Sequence, residues 1–266
     1  MAALRPMPQI TISQVELLRW SKLWRGEIGS PKKNGEAKAK LPDRFDKKQG
    51  MDFGYVFDAA FGSALAEMLG KVDVRKPEHN SLLPPHKDCV EVGEVRIVGG
   101  IRPQNYDAAY RPDGPRLVYD SKTLNDKKSI AKNWQNMIND LATEASTVHT
   151  RFPYCLVCFI IALPRPALLK PQEQALIRTL ERLGSRDDEL DQPHLAEAVS
   201  LVIWDPDTGT IDADWPPPDS ILRIEKMAER IAPRYLDRYK NLPPHEVMEV
   251  SEADDAEDDD DPAEAI

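Results

Sequence analysis

Asn105–Thr123 reads NYDAAYRPDGPRLVYDSKT, two short strands folded back on one another. The first, around Gln104–Tyr110, carries Asp107; the second, around Arg116–Thr123, carries Asp120, Ser121 and Lys122. Between them Arg-Pro-Asp-Gly-Pro is dense turn punctuation, and Asp-Gly is a strong hairpin signal. A loop centred on Asp113-Gly114 pairs residues whose numbers sum to 227, which sets Asp107 opposite Asp120, with Cβ atoms roughly 4.5–5.5 Å apart. Pro112 and Pro115 cannot donate ladder bonds, so a loop of four residues or more is expected, and an even length keeps this pairing. Strand alternation then puts Asp120 and Lys122 on one face and Ser121 on the other. Like charges directly opposite are unfavourable, and a divalent cation is their natural partner.

The flanking pattern supplies helices and a sheet for this hairpin. Met51–Gly70 carries Phe53, Phe57, Phe61, Ala64, Leu65 and Met68 as one apolar stripe, and Gly70 suits its end. After a Pro-rich loop, Cys89–Ile101 alternates as a strand. Ser129–Ala145 is a helix with Ile130, Trp134, Met137, Ile138 and Leu141 inward, and Phe152–Leu163 is the continuous apolar run of a buried central strand. Pro171–Gly184 reads as a helix, and Ala198–Trp204 as a strand turned by Asp205–Gly209 into a partner near Thr210–Ala213. Asp219 is expected to cap a helix over Ser220–Ile231, and Pro233 to start a separate one to Lys240. Thr11–Arg25 is an amphipathic helix with a Ser13/Glu16 capping box, Val15, Leu18 and Leu23 apolar, and Trp20 and Trp24 on one packing face. The order predicts an α/β fold with an α+β mixed sheet: helix, three antiparallel strands, helix, buried strand, helix, strand, with helical additions. Residues 1–50 are read as an N-terminal helix and basic loop, 51–245 as the main domain, and 246–266 as a disordered acidic tail.

Charge is unevenly placed. The 266 residues carry a formal charge of −10, but Glu246–Ile266 holds eleven acids and no base. Removing those from 45 Asp+Glu leaves 34 against 35 Lys+Arg, a near-neutral body on which basic surface must be local. The 26–50 segment includes Lys32, Lys33, Lys38 and Lys40, read either as a solvated loop or as an arm touching DNA phosphates. No 18-residue apolar run and no signal-like start is present, which predicts a soluble cytoplasmic protein without a membrane partner. Cys89, Cys155 and Cys158 give no disulfide framework, and Cys155 and Cys158, three apart in a strand, face opposite sides. The five histidines show no ligand spacing.

The paired acids and Asp120-Ser121-Lys122 resemble the PD-(D/E)XK nuclease superfamily, of which restriction endonucleases are the largest group, over about Met51–Ile211. Asp107 fits the lone acidic position and Asp120-Ser121-Lys122 the tripartite one, although Tyr106 stands where the superfamily name puts Pro. Of four [DE]-x-K triplets in the chain, only this one follows a strand-like Leu-Val-Tyr with a partner acid at hairpin spacing. Pro112-Asp113 supplies a literal Pro-Asp, but inside the turn, and is read as a decoy. The resemblance implies a restriction-endonuclease-like core and a Mg²⁺-dependent endodeoxyribonuclease (Mn²⁺ substituting) acting on double-stranded DNA, of a restriction or phage-defence kind and possible as a homodimer. Asp107, Asp120 and the Ser121 carbonyl would hold the cation, and Lys122 would assist the attacking water. A helix before the sheet often adds an acid, for which Glu67 is the candidate and Asp58 the reserve; Gln135 is the candidate for a supporting glutamine. Two rivals remain: a non-catalytic interaction protein whose acidic tail mimics nucleic acid, and a structure-specific repair or recombination nuclease.

Overall fold

The computed structural model describes residues 3–28, 42–128, 130–165 and 168–245. Their helices are α1 (Gln14–Trp24), α2 (Lys47–Met68), α3 (Ile130–His149), α4 (Lys170–Leu183) and α5 (Ile224–Tyr239). The strands are β1 (Asp73–Arg75), β2 (Cys89–Val98), β3 (Pro103–Tyr110), β4 (Leu117–Thr123), β5 (Leu156–Pro164), β6 (Ala198–Asp205) and β7 (Thr210–Ile211). They form one mixed sheet in the order β1-β2-β3-β4-β5-β6-β7. β2, β3 and β4 run antiparallel, β4, β5 and β6 run parallel, and β1 and β7 close the edges parallel and antiparallel to their neighbours. Among the described residues no helix is long and apolar enough to cross a membrane.

Alternation along the strands sorts the core into two layers. One face packs Val90, Ala108, Tyr119 and Ile160 against α1, α2 and α5. The other packs Val95, Val118, Val157 and Ile161 against α3 and α4. β5 is covered on both sides and every one of its 9 residues is buried, which is why its sequence is unbroken apolar rather than alternating. Cys155 and Cys158 fall in opposite layers, both buried and free.

α2 begins at Lys47 because Asp46 caps it. The Asp46 carboxylate accepts from Gln49 N at 2.8 Å, and the Gln49 side chain accepts from Asp46 N at 3.1 Å. The boundary expected at 50/51 thus falls inside α2. α1 also packs into the same core as α2, with the Trp24 and Trp204 rings 5.8 Å apart edge to face. On α1 it is Leu17, Trp20 and Trp24 that are buried, while Val15 and Leu18 face solvent; the Glu16 side chain bonds Arg19 rather than completing a capping box. Pro233 lies within α5 instead of starting a new helix, and Asp219 does not cap it; Arg223 stands at its N-cap. A proline in a helix removes one N–H and crowds the preceding turn. Here α5 buries Ile224, Met227, Ile231 and Tyr235, and that burial offsets the loss.

Candidate functional site

The hairpin register is the expected one for as far as the ladder runs: Ala108 pairs Tyr119, Ala109 pairs Val118 and Tyr110 pairs Leu117. The ladder stops there, just short of Asp107 and Asp120. β2 has a bulge opposite, between Val92 and Val95, where Gly93 takes φ +132°. Across from it the alternation of β3 slips, so that Tyr106 and Ala108, two residues apart, pack in different layers. Asp107 sits at the slip. Its Oδ2 accepts from Ser121 N at 2.9 Å and Ser121 Oγ at 3.0 Å, taking the place of a strand carbonyl. Where the ladder ends, the Asp107 carboxylate caps the neighbouring backbone.

α2 closes over this end of the sheet. A Cβ on Gly62 would lie 2.3 Å from Val92 Cγ2, and one on Gly54 would lie 3.3 Å from Ser121 Oγ, so both glycines let the helix approach β2 and β4. Asp58, one turn from each, is thereby pressed toward Asp107 and Ser121. It is 6% exposed, and its Oδ1 has no hydrogen-bond partner among the described residues. On the opposite face, Lys122 Nζ donates to Asp120 Oδ2 and, at 2.9 Å, to Glu144 Oε1 of α3. Glu144 is 5% exposed and also accepts from Gln104 Nε2 at 3.2 Å, while its main-chain carbonyl accepts from Tyr106 OH at 2.9 Å. Its Oε2 has no partner among the described residues.

Asp58, Asp107, Asp120, Ser121 and Lys122, but not Glu144, border an open cleft of about 750 Å³, together with Tyr55 and others. Its lining also includes Asp46, Asp52, Glu94 and Asp126, so negative charge dominates. Burial, with the Asp107 charge, pushes the Asp58 carboxyl up to about 8. Burial, with the Asp120 charge, raises Asp107 to about 8, and burial raises Asp120 to about 7 although Lys122 opposes it. Burial would lower the Lys122 ammonium, but Asp120 and Glu144 outweigh it and keep it charged.

A buried acidic group of this kind suits a hard cation, which prefers oxygen donors. Asp58 supplies an orphan oxygen, and Asp107 and Asp120 approach from adjacent strands. Among the described residues no three His, Cys, Asp or Glu side chains are already gathered as a metal cage. The Asp120 carboxylate is held by Lys122, an internal cation. The donors therefore fit Mg²⁺ in chemistry once Lys122 yields Asp120.

Without a cation the site weakens the fold as pH rises. The three carboxyls ordinarily ionise near 3.8, so an unfolded chain has lost protons that the folded chain retains up to about pH 7–8. Their contribution is full below pH 4 and is lost as pH climbs through the folded values. In EDTA the melting temperature should fall between pH 5 and pH 8, and Asp107→Asn should flatten that slope. An unchanged slope in the variant would show that these carboxyls are not the cause.

The remaining expected site residues lie elsewhere. Glu67 is 43% exposed at the other edge of the α2 stripe, paired with Arg5 at 3.4 Å and Lys71 at 3.7 Å. The reserve, Asp58, occupies the site instead. Gln135 is exposed on α3 and does not line the cleft. Lys32, Lys33, Lys38, Lys40 and the acidic tail fall outside the described residues. Asp113 is at the hairpin tip, where its carboxylate grips Arg116 at 2.8 and 2.6 Å. Sequence reasoning missed Glu144, although a carboxylate lying with Met137, Leu141 and Val148 on the apolar face of α3 was a visible signal. Comparison with family models, with curated proteins and with solved structures gives no match.

Proposed function

We propose that this chain is a Mg²⁺-dependent endodeoxyribonuclease of the PD-(D/E)XK kind, cutting double-stranded DNA in restriction or phage defence. The observation that carries the reading is the meeting of Asp107, Asp120 and Lys122 at the open end of two antiparallel strands, with the orphan Asp58 oxygen above them. Support comes from the element order around them: α2, the antiparallel β2-β3-β4, α3, parallel β5, α4 and β6.

Asp107, Asp120, the Ser121 carbonyl and Asp58 would hold the ion. A bound Mg²⁺ supplies Lewis-acid polarisation of a phosphate oxygen and a lower pKa for a water molecule. The chain's own part is to orient and neutralise. Lys122, charged and tethered at Glu144, directs its ammonium toward a phosphodiester lying in the cleft and offsets the charge that builds on its oxygens as water attacks. Ser121 Oγ is bonded to Asp107 and serves to aim that carboxylate. Cutting both strands with one such cluster per chain calls for two copies acting together, hence a homodimer.

Linear, supercoiled and branched DNA incubated side by side with Mg²⁺ and with EDTA test the reading. Discrete bands with Mg²⁺ alone support a site-specific enzyme. Cutting confined to branched DNA favours a structure-specific nuclease, and intact DNA in every lane with Mg²⁺ defeats the proposal.

A further inference from the structure

We infer that Glu144 is a positioning residue that receives Lys122 when a divalent cation takes Asp120, so that Lys122 moves between two carboxylates. The inference rests on the metal-nuclease reading and assigns Glu144 a part outside the ligand set. Lys122 Nζ already touches both acceptors, Asp120 Oδ2 and Glu144 Oε1, the latter at 2.9 Å. An ammonium has three donors and no need to leave one acceptor for another while both are unoccupied. A cation on Asp120 changes that, because two positive charges then compete for one buried carboxylate.

Glu144 is built to take the displaced ammonium. Its Oε2 is buried with no partner among the described residues, so it has acceptor capacity to spare. Its position is fixed from two sides, by Gln104 Nε2 at 3.2 Å on its carboxylate and by Tyr106 OH at 2.9 Å on its backbone. It does not line the cleft, whereas Asp58, Asp107 and Asp120 do. The Lys122 side chain is 26% exposed and flexible, and a small rotation suffices to exchange one oxygen for another. Without Glu144 the ammonium has only Asp120 and opposes the incoming ion directly.

The test is a double-mutant cycle read by Mn²⁺ binding to the whole chain, with free Mn²⁺ followed by its paramagnetic resonance signal. Glu144→Gln should weaken Mn²⁺ on the order of tenfold, the low end of what outer residues do to metal affinity. In a Lys122→Met background, where no ammonium competes, the same change should shift affinity by no more than about twofold. Equal weakening in both backgrounds overturns the inference, because Glu144 would then act through its charge alone or as a ligand. If Glu144→Gln does not melt cooperatively, Glu144→Asp, which keeps the charge but withdraws the acceptor by one methylene, runs the same cycle. Weakening that needs Lys122 supports the inference, and unchanged affinity overturns it. A wild-type chain that binds no Mn²⁺ overturns the nuclease reading itself and this inference with it.

Discussion

Asp120→Asn and Asp107→Asn should each slow DNA cleavage by on the order of a thousandfold, an electrostatic loss of the size seen when one charge-stabilising group is removed. Both variants should still fold. Asn retains an oxygen that can accept from Ser121 N at position 107, and at either position the substitution removes one of several crowded negative charges. In EDTA at pH 8 both should melt at or above the wild-type temperature, since burial with the Asp120 charge holds Asp107 at about 8 and burial holds Asp120 at about 7. Lys122→Met should be as inactive as either, yet bind the cation more tightly, because Asp120 is then free of its internal partner. Asp113→Asn is the control. It lies at the hairpin tip on Arg116, away from the cleft, and should leave cleavage within about twofold, as a surface change does. Loss of cleavage in Asp113→Asn with retention in Asp107→Asn would move the site to Pro112-Asp113.

The largest effect on stability is expected at Glu197, which has no part in the cleft. Its carboxylate is fully buried and accepts from Val157 N at 2.7 Å, Arg186 Nε at 2.9 Å and Arg238 Nη1 at 2.8 Å, with His149 Nε2 at 3.3 Å. It thereby ties the start of β5 to α5, to the end of α3 and to the loop after α4. Glu197→Ala leaves two guanidinium groups without their counter-charge, a loss of roughly 3–5 kcal/mol. For a chain of this size that lowers the melting temperature by on the order of 10 °C. Glu197→Gln keeps the side-chain shape and one of the two acceptor oxygens, and should cost less than Glu197→Ala. Burial alone would raise the Glu197 carboxyl, but His149, Arg238 and the Val157 N–H hold it below the ordinary 4.5. Its contribution is therefore present above pH 4.5 and lost as pH falls through the lowered value, the reverse of the cleft carboxyls. In EDTA these opposite slopes should place maximum stability at about pH 4. A calorimetric profile that rises steadily to pH 8 would contradict the assignment of the cleft carboxyls, and one with no loss of the Glu197 contribution below pH 4.5 would contradict that of Glu197.

The sheet was legible where turn chemistry and periodicity agreed. Asp-Gly fixed the centre of the hairpin, and β3 and β4 pair in the register it dictates. The length and prolines of the Phe152–Leu163 run marked β5 as central. The illegible parts are those decided by a third element. Asp58 and Glu67 lie on opposite edges of one apolar stripe, and periodicity alone does not say which edge overlies the hairpin. The glycines on the Asp58 side, Gly54 and Gly62, carried that information, since a helix free of Cβ atoms there can close on the sheet. α1 misled because Val15 and Leu18 are apolar yet exposed, while the two tryptophans define the buried side. Pro233 misled because propensity is local, and α5 is held by its burial against the sheet. Glu144 needs the fold to give it meaning, since only the packing of α3 brings it to Lys122.

One measurement bears most directly on the cation site: anomalous diffraction from crystals of the chain soaked in Mn²⁺. The account predicts a peak in contact with the Asp107 and Asp120 carboxylates, with Lys122 Nζ withdrawn to Glu144. Peaks found only on the surface, with Lys122 still seated on Asp120, would contradict it.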